Sequence, residues 1–170
     1  MKKLLRIKDG INFFVLTFLL SFVIPQIVFA QPANNNCGGS VLITPTAAGT
    51  GCTNFISQFT GTTVAATQSL AGCSGTADDD VWYRFVANGG SHTVTVTPSG
   101  GTSLNNPVFQ VFSSSDNTCT GTFTSVVCQN ASTGAGTAET ATLANLINGN
   151  TYYIRVQSNA NGTGQGQFTI

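Results

Sequence analysis

Hydrophobic and polar positions alternate in short runs along most of this chain, and no apolar stretch after the first thirty residues carries the 3.6-residue period of a helix. The richest run is residues 78–98, DDDVWYRFVANGGSHTVTVTP. In it Tyr83 and Phe85 alternate with Trp82 and Arg84, and Val94 and Val96 with Thr93, Thr95 and Thr97. Asn88-Gly89-Gly90 separates the two halves, so the stretch predicts a β-hairpin opened by three carboxylates. Residues 41–44 predict a short edge strand closed by Pro45, which cannot donate to a ladder. Further strands are predicted at 54–60 and 62–67, at 107–113 (PVFQVFS), and at 122–128 (TFTSVVC), which pairs with its predecessor. Residues 137–146 contain helix-favouring Ala, Glu and Leu, but the recurrence of Thr137, Thr140 and Thr142 favours a strand. In 150–158 (NTYYIRVQS), Tyr152, Ile154 and Val156 fall on one face and Tyr153, Arg155 and Gln157 on the other. A last strand begins at 167–170. Eight or nine short strands with turn signals between them predict an all-β fold, an antiparallel β-sandwich or jelly roll.

The first thirty residues stand apart. Lys2, Lys3, Arg6 and Lys8 precede an apolar stretch, and Val28-Phe29-Ala30 supplies small residues for cleavage, so residues 1–30 read as a secretory signal peptide. Pro25 and Gln26 interrupt the rival reading of a spanning helix. The remaining organisation is a flexible polar lead-in at 31–36 and a single β-sandwich module at 37–170.

Removal of the leader changes the charge. Only Arg84 and Arg155 remain against five carboxylates, a net charge of −3. Such a surface offers phosphate backbones no basic footprint, which argues against nucleic acid, and it lacks a polybasic patch for anionic lipid. All five cysteines, Cys37, Cys52, Cys73, Cys119 and Cys128, lie after the leader and read as a disulfide framework. Cys119 and Cys128 flank the strand at 122–128 and are the pair expected to close.

Candidate chemistry concentrates near the central run. Asp78, Asp79 and Asp80 could supply oxygen ligands to calcium, although consecutive strand residues point to opposite faces and at most two would meet one ion. The favoured alternative has one of them pairing with Arg84 or Arg155 or capping a turn. Trp82, Tyr83, Tyr153 and Arg155 are the candidate ligand-binding residues, since aromatics on an open sheet face would stack on sugar rings. His92 has no serine or carboxylate in a pattern that would make a triad, and Asp116 and Glu139 have nothing that positions them as a glycosidase pair. No catalytic residues are assigned, and the chain reads as a non-enzyme.

The segments DDDVWYRFVA, SHTVTVTP, PVFQVFSSSDNTC and LANLINGNTYYIRVQSNANGTGQGQFTI together resemble the secreted jelly-roll modules of Bacteroidetes-type cell-surface proteins. These are related to bacterial pre-peptidase C-terminal domains and are exported by type IX secretion. The resemblance implies a closing strand of the form F-x-I-C-V. It therefore implies a sixth cysteine just beyond Ile170, with further domains C-terminal to it. Family members often carry carboxylates before the strand matching PVFQVFS, where this chain has the uncharged Leu104-Asn105-Asn106. A second resemblance is to the corner and F strand of fibronectin type III domains, with Tyr152 as corner tyrosine. The expected role is a secreted or cell-surface binding or adhesion module for an extracellular polysaccharide or other surface polymer. It needs no cofactor unless calcium binds, and it has no membrane span once the leader is cleaved. The alternative is an accessory or spacer domain beside a secreted hydrolase.

Overall fold

The computed structural model describes residues 30–46, 58–132, 134–160 and 162–170. The leader residues 1–29, Cys52 and most of the strand predicted at 54–60 lie outside them. Among the described residues nine strands follow a 3₁₀ turn at Cys37–Gly39: β1 (Val41–Leu42), β2 (Thr60–Thr62), β3 (Val81–Val86), β4 (His92–Pro98), β5 (Pro107–Ser114), β6 (Phe123–Gln129), β7 (Glu139–Leu143), β8 (Thr151–Ser158) and β9 (Gln167–Thr169). They form a five-stranded sheet, β1-β3-β8-β5-β6, packed on a four-stranded sheet, β2-β9-β4-β7. The fold is an all-β sandwich, as the alternation predicted.

The antiparallel pairs nest inside one another. β5 pairs with β6, β4 with β7, β3 with β8 and β2 with β9. From β1 onward every connection except β5–β6 crosses from one sheet to the other. This is the wrapping of a jelly roll, and it differs from the ABED/CFG order of immunoglobulin-like sandwiches. The local corner of the second resemblance is nevertheless present, since the Ile147 amide donates to the Tyr152 hydroxyl at 2.9 Å.

The predicted hairpin at 78–98 does not form. β3 pairs with β1 and β8, whereas β4 pairs with β7 and β9 in the opposite sheet. The Gly-rich connection bonds instead to the β7–β8 loop, with Leu146 N–H donating to Gly90 C=O and Gly149 N–H to Ala87 C=O. Each strand has an apolar face, and stacking Tyr83 and Phe85 across the sandwich from Val94 and Val96 buries both. Side-by-side pairing would leave that area to be covered by something else. The strand predicted at 62–67 also stops early. After Thr62 the chain turns through Ala65 in the left-handed region (φ 61°).

Between the sheets lies one core that includes Val81, Phe85, Phe109, Ile154, Val156 and Phe168. Gly61 is required there, because a Cβ on it would run into the Tyr83 hydroxyl and the Phe168 ring. On the edge strand β6 a bulge opposite Val111/Phe112 leaves Val126 without a partner, which twists the edge away from further pairing.

Candidate functional site

The central strands β3, β5 and β8 carry apolar side chains on both faces. β8 is buried at every position from Tyr152 to Ser158, and β5 from Pro107 to Phe112. The face turned away from the main core is therefore covered as well. Its cover is a strap of two segments, the N-terminal residues 31–40 and the loop 67–78.

The N-terminal segment is packed, not flexible. Asn34 and Asn35 are buried; Trp82 N–H donates to Asn34 C=O at 2.8 Å, and the Asn34 amide returns a bond to Trp82 C=O at 3.0 Å. Asn35 ties the two segments together, accepting from Thr67 N–H at 2.6 Å. The covalent anchors match. Cys37 is bonded to Cys119 (Cα–Cα 5.7 Å) and Cys73 to Cys128 (Cα–Cα 6.0 Å), so each disulfide joins one strap segment to the β5–β6 hairpin. This corrects the expected Cys119–Cys128 pair. Cys119 precedes an extended strand and Cys128 lies near its far end, and β6 alone carries Cys128 roughly 17 Å from Phe123 at about 3.4 Å per residue. A disulfide tolerates a Cα separation of only about 7 Å.

Beneath the strap sits a second apolar cluster of Trp82, Phe112, Phe123 and Tyr153. Trp82 stacks on Phe112 and Phe123 with centroids 5.7 and 5.6 Å away, and Phe123 meets Tyr153 at 5.4 Å. Trp82 is 1 % exposed, its indole N–H donating to Ser69 Oγ at 2.7 Å; the Tyr153 hydroxyl donates to Asn117 C=O at 3.1 Å. Tyr83 faces the main core, and burial pushes its hydroxyl up to about 12 despite a hydrogen bond with Asn34. None of the three aromatics proposed to stack on sugars lies on an open face.

Arg155 and Asp80 form the polar centre under the strap. Their side chains, 1 % and 0 % exposed, approach to 3.4 Å, the only ion pair among the described residues. Asp80 also accepts from the Ser69 hydroxyl at 2.7 Å and from the Ser69 and Leu70 backbone amides. Arg155 donates to the carbonyls of Leu70 and Ala71 and to Gln110 Oε1, and its guanidinium lies 5.9 Å over the Phe112 ring. Burial raises the Asp80 carboxyl and lowers the Arg155 guanidinium, with hydrogen bonds and the mutual charge opposing each shift. Arginine keeps its proton in proteins, so the pair stays ionic. This is the Asp–Arg pairing favoured on the sequence. It clamps the loop at 69–71 to the sheet and leaves only the buried Nε of Arg155 without a partner.

The other two carboxylates of the run sit at the end of the sandwich. Asp79 is fully buried and accepts from Ser158 N–H at 2.9 Å, and burial raises its carboxyl above the ordinary range, against that hydrogen bond. Asp78 accepts from Gly162 N–H. Each keeps one buried oxygen without a hydrogen-bond partner, Asp78 Oδ1 and Asp79 Oδ2. These hard oxygens suit calcium better than a softer metal, and Asp80 is not available to join them.

Glu139 was not a site candidate, yet it is buried and fully engaged. It accepts from Gln129 Nε2, from the Ala131 and Ser132 amides, and from the Ser132 hydroxyl. Burial alone would raise its carboxyl, but these donors outweigh burial and hold it below the usual glutamate value. His92 packs edge-on to Phe85, and burial lowers its pKa. Asp116 caps its own turn by accepting from the Thr118 amide and hydroxyl. Compared with known proteins, the chain matches no family model and no curated protein. Among the described residues no helix is long and apolar enough to cross a membrane.

Proposed function

We propose that this chain is a non-catalytic extracellular jelly-roll module of a larger secreted or cell-surface protein. In this reading its inter-strand loops meet an extracellular polymer. One observation carries it. The residues with the most distinctive chemistry, Trp82, Tyr153, Asp80 and Arg155, are consumed in fastening a disulfide-anchored strap. A fold that spends its aromatic and charged side chains on rigidity works as a scaffold, and recognition then falls to loops carried by it. Two disulfides suit an oxidising compartment. The Gly- and Asn-rich loops between strands replace the aromatic platform as the contact region for a polysaccharide.

Calcium belongs to this proposal at one place. Asp78 and Asp79 would hold it, each through its buried unpartnered oxygen, and the ion would offset their charge. Its test is the melting temperature in calcium against chelator. A rise in calcium that Asp79→Asn abolishes supports the site, and identical melts contradict it.

The functional reading is tested by exporting the full chain from a bacterial host. The recovered protein is assayed for retention on insoluble polysaccharides and for turnover of peptide, ester and glycoside substrates. Retention without turnover, with both disulfides closed, is expected. Turnover of any substrate that survives repurification contradicts the non-catalytic assignment, and accumulation only in reduced form inside the cell contradicts the extracellular one.

A further inference from the structure

The outer face of the four-stranded sheet has a composition unlike that of any other strand face among the described residues. Nine strand positions on β2, β4, β7 and β9 point away from the core, and eight are threonine; the ninth is Gln167. Their inward neighbours, Gly61, Val94, Val96, Ala141, Leu143 and Phe168, belong to or border the main core, so the alternation is strict.

The threonines fall in register. Thr93 lies beside Thr142, Thr95 beside Thr140, and Thr97 beside Thr169, which in turn lies beside Thr60. The hydroxyls of Thr95 and Thr140 are 3.0 Å apart and those of Thr93 and Thr142 3.4 Å, so cross-strand bonds hold their rotamers. A β-branched side chain is already stiff at χ1. The result is a fixed array of methyl and hydroxyl groups, about 4.8 Å apart between strands and about 6.7 Å apart along them. None of the nine outward positions carries a charged or aromatic side chain.

Solubility alone calls for polar residues here, and any mixture of Ser, Asn, Lys and Glu would provide it. A single β-branched hydroxyl residue, repeated in two directions on a rigid support, is a lattice. Its repeats approximate those of water oxygens on a prism face of hexagonal ice, and each hydroxyl both donates and accepts, as a lattice water does. The methyl groups order the water between them. Sugar rings, by contrast, are gripped by aromatic platforms, and Trp82, Tyr83, Tyr152 and Tyr153 are all internal. We propose that this threonine face binds crystalline water, making the outer surface of the four-stranded sheet an ice-adhering plane. Sheet twist confines the match to the rows around Thr95 and Thr97.

The test uses the full exported chain in slowly grown ice and in a frozen film held just below melting. The wild type is expected to be incorporated into the ice and to arrest recrystallisation. Thr95→Tyr and Thr140→Lys, both at exposed positions, should lose both effects while keeping the wild-type melting temperature. Thr124→Tyr, on exposed β6 of the other sheet, should retain them. Exclusion of the wild type from ice overturns the proposal, as does undiminished activity in both face variants. Retention on an insoluble polysaccharide that Thr95→Tyr abolishes, without any effect on ice, assigns the face to another class of partner and overturns it equally.

Discussion

Trp82 is the residue through which the account can be attacked most simply. As a sugar platform it would be dispensable for folding, and Trp82→Ala would abolish binding alone. Here it packs against both Phe112 and Phe123 under the strap, so Trp82→Ala is expected to cost about 3–5 kcal/mol of stability. Urea denaturation measures it, and a loss below about 1 kcal/mol would place the indole in solvent after all. Glu139 gives the pH counterpart. Its carboxyl is held below the usual value in the folded state, so its contribution to stability is present above the unfolded glutamate pKa. That contribution is lost as pH falls through the lower folded value. The difference in melting temperature between wild type and Glu139→Gln should therefore be largest at neutral pH and shrink on acidification. A constant difference would mean that the four donors do not favour the charged form.

At the scale of elements the strands were legible, but of their pairings only that of β5 with β6 was. Period-2 alternation located β3, β4, β5, β7 and β8 closely, because each has at least one apolar face that must be buried, and β6 followed from its place beside β5. Pairing depends on which faces stack across the sandwich, and that information is spread over residues far apart in sequence. Asn88-Gly89-Gly90 signals a turn equally well for a hairpin and for a sheet-to-sheet crossing. The covered outer face left a signal that the alternation argument passed over. Trp82-Tyr83, Tyr152-Tyr153 and the run PVFQVF put large apolar groups on both faces of three strands, as strands buried on both sides do. The charged pair was readable to the extent that Asp80 and Arg155 had few other partners to choose from. The strap itself was not readable, since its residues are polar and are held by backbone bonds and disulfides. Gly61 offers a test at this scale. It lies in β2 where the strand passes over Tyr83 and Phe168, and Gly61→Ala is expected to destabilise by about 1–3 kcal/mol through overpacking. Unchanged stability would mean that β2 does not run against the core at this point.

For the whole molecule, the central claim is that a jelly roll carries a strap across its five-stranded sheet, turning the expected binding face into a second interior. Non-local covalent bonds make that claim measurable. The two disulfides close loops with sequence separations of 82 and 55, joining segments that are neighbours only in this topology. Removing either, as in Cys73→Ser with Cys128→Ser, is expected to cost about 2–5 kcal/mol. The decisive measurement is a peptide map of the exported protein, digested without reduction and read by mass spectrometry. One linked pair containing Cys37 and Cys119 and another containing Cys73 and Cys128 are expected. A linked pair containing Cys119 and Cys128 would contradict it, because those two cannot meet while β6 is extended and the strap lies over Trp82.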